Sequence, residues 1–214
     1  MTNNKPDEIQ APWIAGDISV TDLESPHWRA AAPISITQRW SGEAAAPEQA
    51  AEARIIWTDH ALCVRFDCRQ HTPPIVSTEP QLHEKTLGLW HRDVCEIFIA
   101  PNPAEPERYF EFEAAPSGEW VDLAIRFEGS RRETDYDYHS GMAVSASLAG
   151  ERLMIGMRIP WSESIAKPAK DEQWRVNLFR CVGTESERYL AWRPTYSAEP
   201  NFHVPAVFGW LRFV

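Results

Sequence analysis

The 214-residue sequence has no apolar run approaching the ~18 residues of a membrane-spanning helix. It is short of basic residues, with 21 Lys and Arg against 31 Asp and Glu and a net charge of −10. A nucleic-acid binder needs a basic stripe to neutralise phosphates, and an anionic membrane attracts basic surfaces, so neither partner is expected. The ten glycines are scattered. There is no glycine-rich phosphate loop, no GxSxG and no HExxH, which removes the chemistries those motifs carry. The four cysteines, Cys63, Cys68, Cys95 and Cys181, include no CxxC and read as small buried hydrophobes, not a disulfide framework. Met1 to Gln10 is polar and lacks the apolar core of a signal peptide. The expected location is cytoplasmic for the chain as it stands, or extracellular if a secretion signal has been trimmed.

No metal centre or cofactor is expected. His91 and Cys95 are four residues apart, a spacing that aligns ligands only on a helix, and their segment reads as strand. The seven histidines are scattered, and Asp135 and Asp137 do not make up a calcium ligand set. A chain of 24.4 kDa buries roughly 70% of its unfolded surface and needs neither disulfide nor metal to fold.

What the sequence does have is tryptophan, ten in all, and seventeen prolines. An indole buries a large flat face while keeping one polar N–H, so it suits both cores and recognition surfaces. The prolines punctuate short stretches that alternate with period two, as strands do. Leu62, Val64, Phe66 and Cys68 share one face, with Cys63, Arg65 and Asp67 on the other. Phe110, Phe112 and Ala114 point inward, and Tyr109, Glu111 and Glu113 outward onto a solvated face. Ser117-Gly118 predicts a hairpin turn, and Ala149-Gly150-Glu151 predicts another, joining Met142 to Leu148 with Arg152 to Ile159. Pro160 to Ala166 suits a short helical turn, and long amphipathic helices are missing. About ten mostly antiparallel strands predict an all-β fold: a single β-sandwich over residues 13–214, preceded by a polar segment, 1–12.

Two segments stand out chemically. Trp90 precedes a strand in which Glu96 sits among Val94, Cys95, Ile97 and Phe98. A carboxylate there is costly unless solvated or paired, so Glu96 is either an ion-pair partner or the acid of a hydroxyl-binding face. Phe202 and His203 lie between Pro200 and Pro205, on a stiffened loop that holds an aromatic platform at low entropy cost.

These segments carry a family resemblance. Trp90, Asp93 and Glu96-Ile97-Phe98 resemble the signature of carbohydrate-binding module family 9, with Asp three residues and Glu six residues after the Trp. Arg54 to Val64, with Trp57 and Asp59, resembles an earlier hairpin of that family. Ile159-Pro160-Trp161 and Trp174 to Asn177 resemble later strands, and Pro205 to Leu211 its closing P-x-x-F-G-x-L. The order of these motifs spans about Trp13 to Val214. The resemblance implies a non-catalytic domain that binds a mono- or oligosaccharide, often at its reducing end, in the service of carbohydrate catabolism. It implies that Trp90 and Phe202 are two stacking rings and that Glu96 accepts sugar hydroxyls. Glu113 then stands where the family can carry an arginine, and Glu199 near an asparagine contact. Phenylalanine for tryptophan and glutamate for arginine are departures that point to an altered ligand.

Two other functions use the same residue types. A glycoside hydrolase would pair Glu96 with Glu113, or Glu111 with Glu113. A haem-binding sandwich of the DOMON-like type would take Met154 with His139 or His203, since Met157 shares a core face with Ile155 and Ile159.

Overall fold

A computed structural model describes residues 7–184 and 186–214. Two sheets face each other. The smaller has the order β10-β11-β5-β4-β2, from Ala143–Ala149 (β10), Arg152–Pro160 (β11), Ala61–Arg69 (β5), Ala51–Trp57 (β4) and Ile34–Ile36 (β2). The larger runs β1-β14-β12-β6-β7-β8-β9. Its strands are Glu8–Ala11 (β1), Gly209–Phe213 (β14), Gln173–Cys181 (β12), Val94–Ala100 (β6), Arg108–Ala114 (β7), Trp120–Glu128 (β8) and Arg131–Asp135 (β9). Two short strands, Gln38–Arg39 (β3) and Tyr189–Ala191 (β13), extend it from β12. Every pairing is antiparallel except β1 with β14. The all-β sandwich expected from the alternation is therefore present. Glu8 to Ala11, read as part of a polar leading segment, forms one of its strands.

The register follows the side-chain pattern. Leu153, Ile155, Met157 and Ile159 of β11 join Leu62, Val64, Phe66 and Cys68 of β5 in the core between the sheets. From the larger sheet, Ile97 and Ile99, Phe112 and Ala114, and Trp174, Val176 and Leu178 meet them. Trp174 and Trp57 set their edges against Phe213 at 4.7 and 5.6 Å between ring centroids. Cys68 and Cys95 touch across the sheets at 3.6 Å, whereas Cys63 faces the opposite way, as odd spacing requires. The hairpin at Ala149-Gly150-Glu151 forms, with Gly150 in the left-handed region at φ 61°. Pro160 to Ala166 contains no helix, because β11 continues through Pro160, in register with Ala61.

The glycine of the closing P-x-x-F-G-x-L motif has a packing reason. A Cβ on Gly209 would lie 2.4 Å from the Trp192 ring and 2.9 Å from the Asp7 carbonyl oxygen. A half-buried indole packed on the core and a paired backbone leave little room to yield. Gly209→Ala is expected to cost about 1–3 kcal/mol of stability, read from urea unfolding midpoints. An unchanged midpoint would show that β1 can shift to make room.

The outer face of the larger sheet is not a solvated face. Phe98 of β6, Tyr109 of β7, Val121, Leu123 and Ile125 of β8, and Phe179 and Cys181 of β12 form a second apolar cluster there, covered by Leu89, Phe202 and Phe208. That face holds the candidate site.

Candidate functional site

A cavity of about 260 Å³ opens on this outer face. Its floor is strand. Glu96 and Phe98 come from β6, Glu111 from β7 and Cys181 from β12, with Leu123 and Ile125 of β8 alongside. Loops form its walls. Trp90 stands in a single 3-10 turn, Leu89–His91, that follows Gly88 at φ 81°. Pro200, Asn201, Phe202 and His203 close the opposite side. Arg132, Thr134 and Tyr136 make one rim and Tyr189 another.

Each wall has a local cause. Asp93, the third residue after Trp90, is buried; its carboxylate accepts from Gly183 N at 2.8 Å, Ile75 N at 3.2 Å and Gln70 Nε2 at 3.4 Å. Burial raises its pKa, and the backbone bonds pull the other way. The motif aspartate thus ties three segments to the base of the Trp90 turn and does not line the cavity. Phe202 is only 8% exposed, because its ring stacks on Phe179 at 4.0 Å and 13° and meets Tyr189 edge-on at 5.9 Å. Its loop is fixed further by a hydrogen bond of 2.8 Å between the Tyr109 hydroxyl and His203 Nδ1. Burial, and then the charge of Arg132, lower the His203 pKa to about 3, so the imidazole is neutral.

Three carboxylates meet at the floor. Glu96 lies opposite Glu113 across the β6–β7 pairing, and Glu111 is two residues along on the same face. They are 2%, 0% and 3% exposed in the order Glu96, Glu113, Glu111. The expectation that Glu111 and Glu113 lie on a solvated outer face is corrected here: alternation fixed which residues share the face, and the covering loops turned that face into an interior. Burial pushes Glu96 and Glu113 well above the usual carboxylate range and raises Glu111 as well. Repulsion adds to it, from Glu111 on Glu96 and from Glu96 and Glu111 on Glu113.

Of the five residues implied by the resemblance, Trp90, Glu96 and Phe202 line one cavity. Glu113 is sealed beneath the floor, within reach of Glu96 but not of the open space. Glu199 is exposed and stands outside the lining; its neighbours Pro200 and Asn201 take that place. Arg132, Thr134, Tyr136 and Tyr189 were not foreseen. The stretch Arg131 to Asp135 is charged and shows no apolar alternation, so nothing in its pattern marked it as a strand beside a site. Met154 and His203, one pairing considered for haem, lie on opposite outsides of the sandwich and cannot share a ligand. Met154 points away from the core face of β11, and His203 packs on Phe98 beyond the other sheet.

This is a β-sandwich with a small lined cavity on the outer face of its larger sheet, the architecture of a ligand-binding domain. The chain belongs to the carbohydrate family 9 binding domain-like family, whose model matches residues 22–214. Its fold is similar to that of a presumptive carbohydrate-binding protein from Bacteroides uniformis, at 19% identity and a TM-score of 0.74, over 97% of this chain and 99% of that one. It is also similar to a family 9 carbohydrate-binding module from Caldicellulosiruptor kristjanssonii. The form in complex with cellotriose has 14% identity and a TM-score of 0.68 over 96% of this chain and 93% of that one. The form in complex with glucose has 15% identity and a TM-score of 0.67 over 97% and 95%. Among curated proteins no relative matches the sequence.

Proposed function

We propose that the chain binds a mono- or short oligosaccharide in this cavity, by its reducing end, as a non-catalytic step in carbohydrate catabolism. The observation that carries the reading is the meeting of Trp90, Phe202 and Glu96 around one small cavity in a domain of this family. A pyranose has an apolar C–H face that an aromatic ring desolvates and a rim of hydroxyls that needs fixed acceptors. A carboxyl group held on a strand offers such hydroxyls fixed hydrogen-bonding oxygens. The cavity is smaller than the ~300–1,000 Å³ of drug-sized sites, which suits an end sugar and not the middle of a chain. Similar sandwiches are known with glucose and with cellotriose. Arg132, exposed at the rim and free of ion pairs among the described residues, supplies the guanidinium that position 113 lacks.

The hydrolase alternative loses support from burial. A general acid and its partner must both reach the scissile bond, and Glu113 is wholly buried.

The test is titration with glucose, xylose, cellobiose, xylobiose and the corresponding alditols, followed by tryptophan fluorescence. A saturable change is expected, weaker for the reduced sugars. A flat response across the panel from folded protein would remove the sugar from this cavity. Equal binding of alditols would remove only the reducing-end preference.

A further inference from the structure

We propose that Glu96, Glu111 and Glu113 form a site for one hard divalent cation of the calcium type at the floor of the cavity. One carboxylate oxygen from each lies within 4.8 Å of the other two. Calcium holds oxygens at about 2.3–2.6 Å, so two on opposite sides of an ion stand about 4.6–5.2 Å apart. The three oxygens therefore fit around a single ion.

A separate observation points to a ligand. Glu113 is wholly buried, and no N–H or hydroxyl donor reaches either of its oxygens; only the Glu111 carboxyl adjoins it, and one Glu111 oxygen likewise has no such donor. A buried carboxyl group is satisfied either by keeping its proton or by pairing with a cation, and an ion entering this cluster would displace the protons. Among the described residues no lysine or arginine forms an ion pair with any of the three. Glu111 has only the His203 imidazole, at 3.9 Å. Arg132 and Arg188 lend positive potential from farther away, and the Arg188 guanidinium is spent on the carbonyls of His91 and Arg92.

The donor set selects the ion. All three ligands are carboxylate oxygens, which suit hard cations. The Cys181 thiol, beside the cluster, already donates to Glu96 Oε1 at 3.5 Å. Glu113 closes the inner side of the cluster, while Glu96 and Glu111 reach the cavity. An ion held there keeps its outward positions for water or a ligand hydroxyl. From the sequence the three stand out only in pairs, because they come from two strands and become one cluster only through the β6–β7 register.

The test needs no sugar, so its outcome is independent of the sugar-binding reading. The full chain, freed of metal with a chelator, is titrated with calcium chloride by calorimetry and by thermal unfolding, with magnesium and manganese chlorides in parallel. Uptake of one ion per chain is expected, with Tm raised by ~5–10 °C once the ion is ~100-fold above its dissociation constant. Glu113→Gln keeps the shape and removes a group that can become an anionic ligand. It is expected to weaken ion binding at least ~10-fold while its metal-free Tm equals or exceeds that of the parent. Should that variant fail to fold, Glu111→Gln gives the same comparison. No saturable response to any of the three ions, or undiminished affinity in the folded variant, overturns the proposal.

Discussion

Replacing Arg180 by alanine is expected to remove about 3–5 kcal/mol of folding stability, the largest effect of any single exchange considered for this chain. Arg180 is a charged residue in the interior, 1% exposed, on β12 of the larger sheet. Its guanidinium crosses to the smaller sheet. One terminal nitrogen donates to the carbonyls of Gln49 at 2.7 Å and Ala50 at 3.1 Å. The other donates to the Arg69 carbonyl at 2.7 Å and to Gln70 Oε1 at 2.8 Å. These acceptors lie where the chain enters β4 and leaves β5. Alanine would take one donor from each of the four, leaving the Ala50 carbonyl its bond from Arg69 N at 3.1 Å, and would add a cavity between the sheets. Lysine restores the charge but not the fork that reaches four oxygens, so Arg180→Lys should recover only part of the loss. Urea unfolding of the three proteins decides it. A loss below ~1 kcal/mol for Arg180→Ala would mean that the carbonyls find other donors.

Trp90→Ala and Phe202→Ala should separate in a way that tests the cavity. Trp90 is half-buried on a single turn and packs only at the edge of the second apolar cluster. Its loss should weaken sugar binding by about 2 kcal/mol, some ~30-fold in Kd, with little change in Tm. Phe202 stacks on Phe179 and helps cover the second apolar cluster. Its removal should weaken binding and also cost about 3 kcal/mol of stability, since a buried phenyl leaves a void. Sugar titrations paired with unfolding curves make the comparison. If Trp90→Ala binds like the parent, the ring is not a wall of the sugar site. If Phe202→Ala is fully stable, the loop is not part of the fold.

The contrast between these two rings reflects what a linear sequence can convey. Period-two alternation on β5, β7 and β11 reported which side chains share a face, and glycines marked the turns, so the sandwich was legible. Alternation does not say what covers a face. Tyr109, Glu111 and Glu113 looked solvent-facing because nothing local to β7 reveals that residues around 89 and 200–208 fold over it. For the same reason Phe202 was legible as a loop aromatic but not as half of a stacked pair, since Phe179 is more than twenty residues away. Arg131 to Asp135 escaped notice because an edge strand can be charged and lack an apolar face. Asp93 was legible as a motif member. Its work, holding Gly183, Ile75 and Gln70, depends on segments the spacing does not mention.

The division of the cavity into a strand floor and loop walls has a bearing on how the domain can diversify. Glu96 and Glu111 belong to ladders that also hold the sandwich together, so their backbone positions are shared with the fold. Trp90, Tyr136 and Pro200 to His203 stand outside those ladders. Selectivity can therefore drift at the rim while the scaffold is conserved beneath it, and a library randomised at 90, 136, 200 and 201 would explore new ligands without wagering the fold.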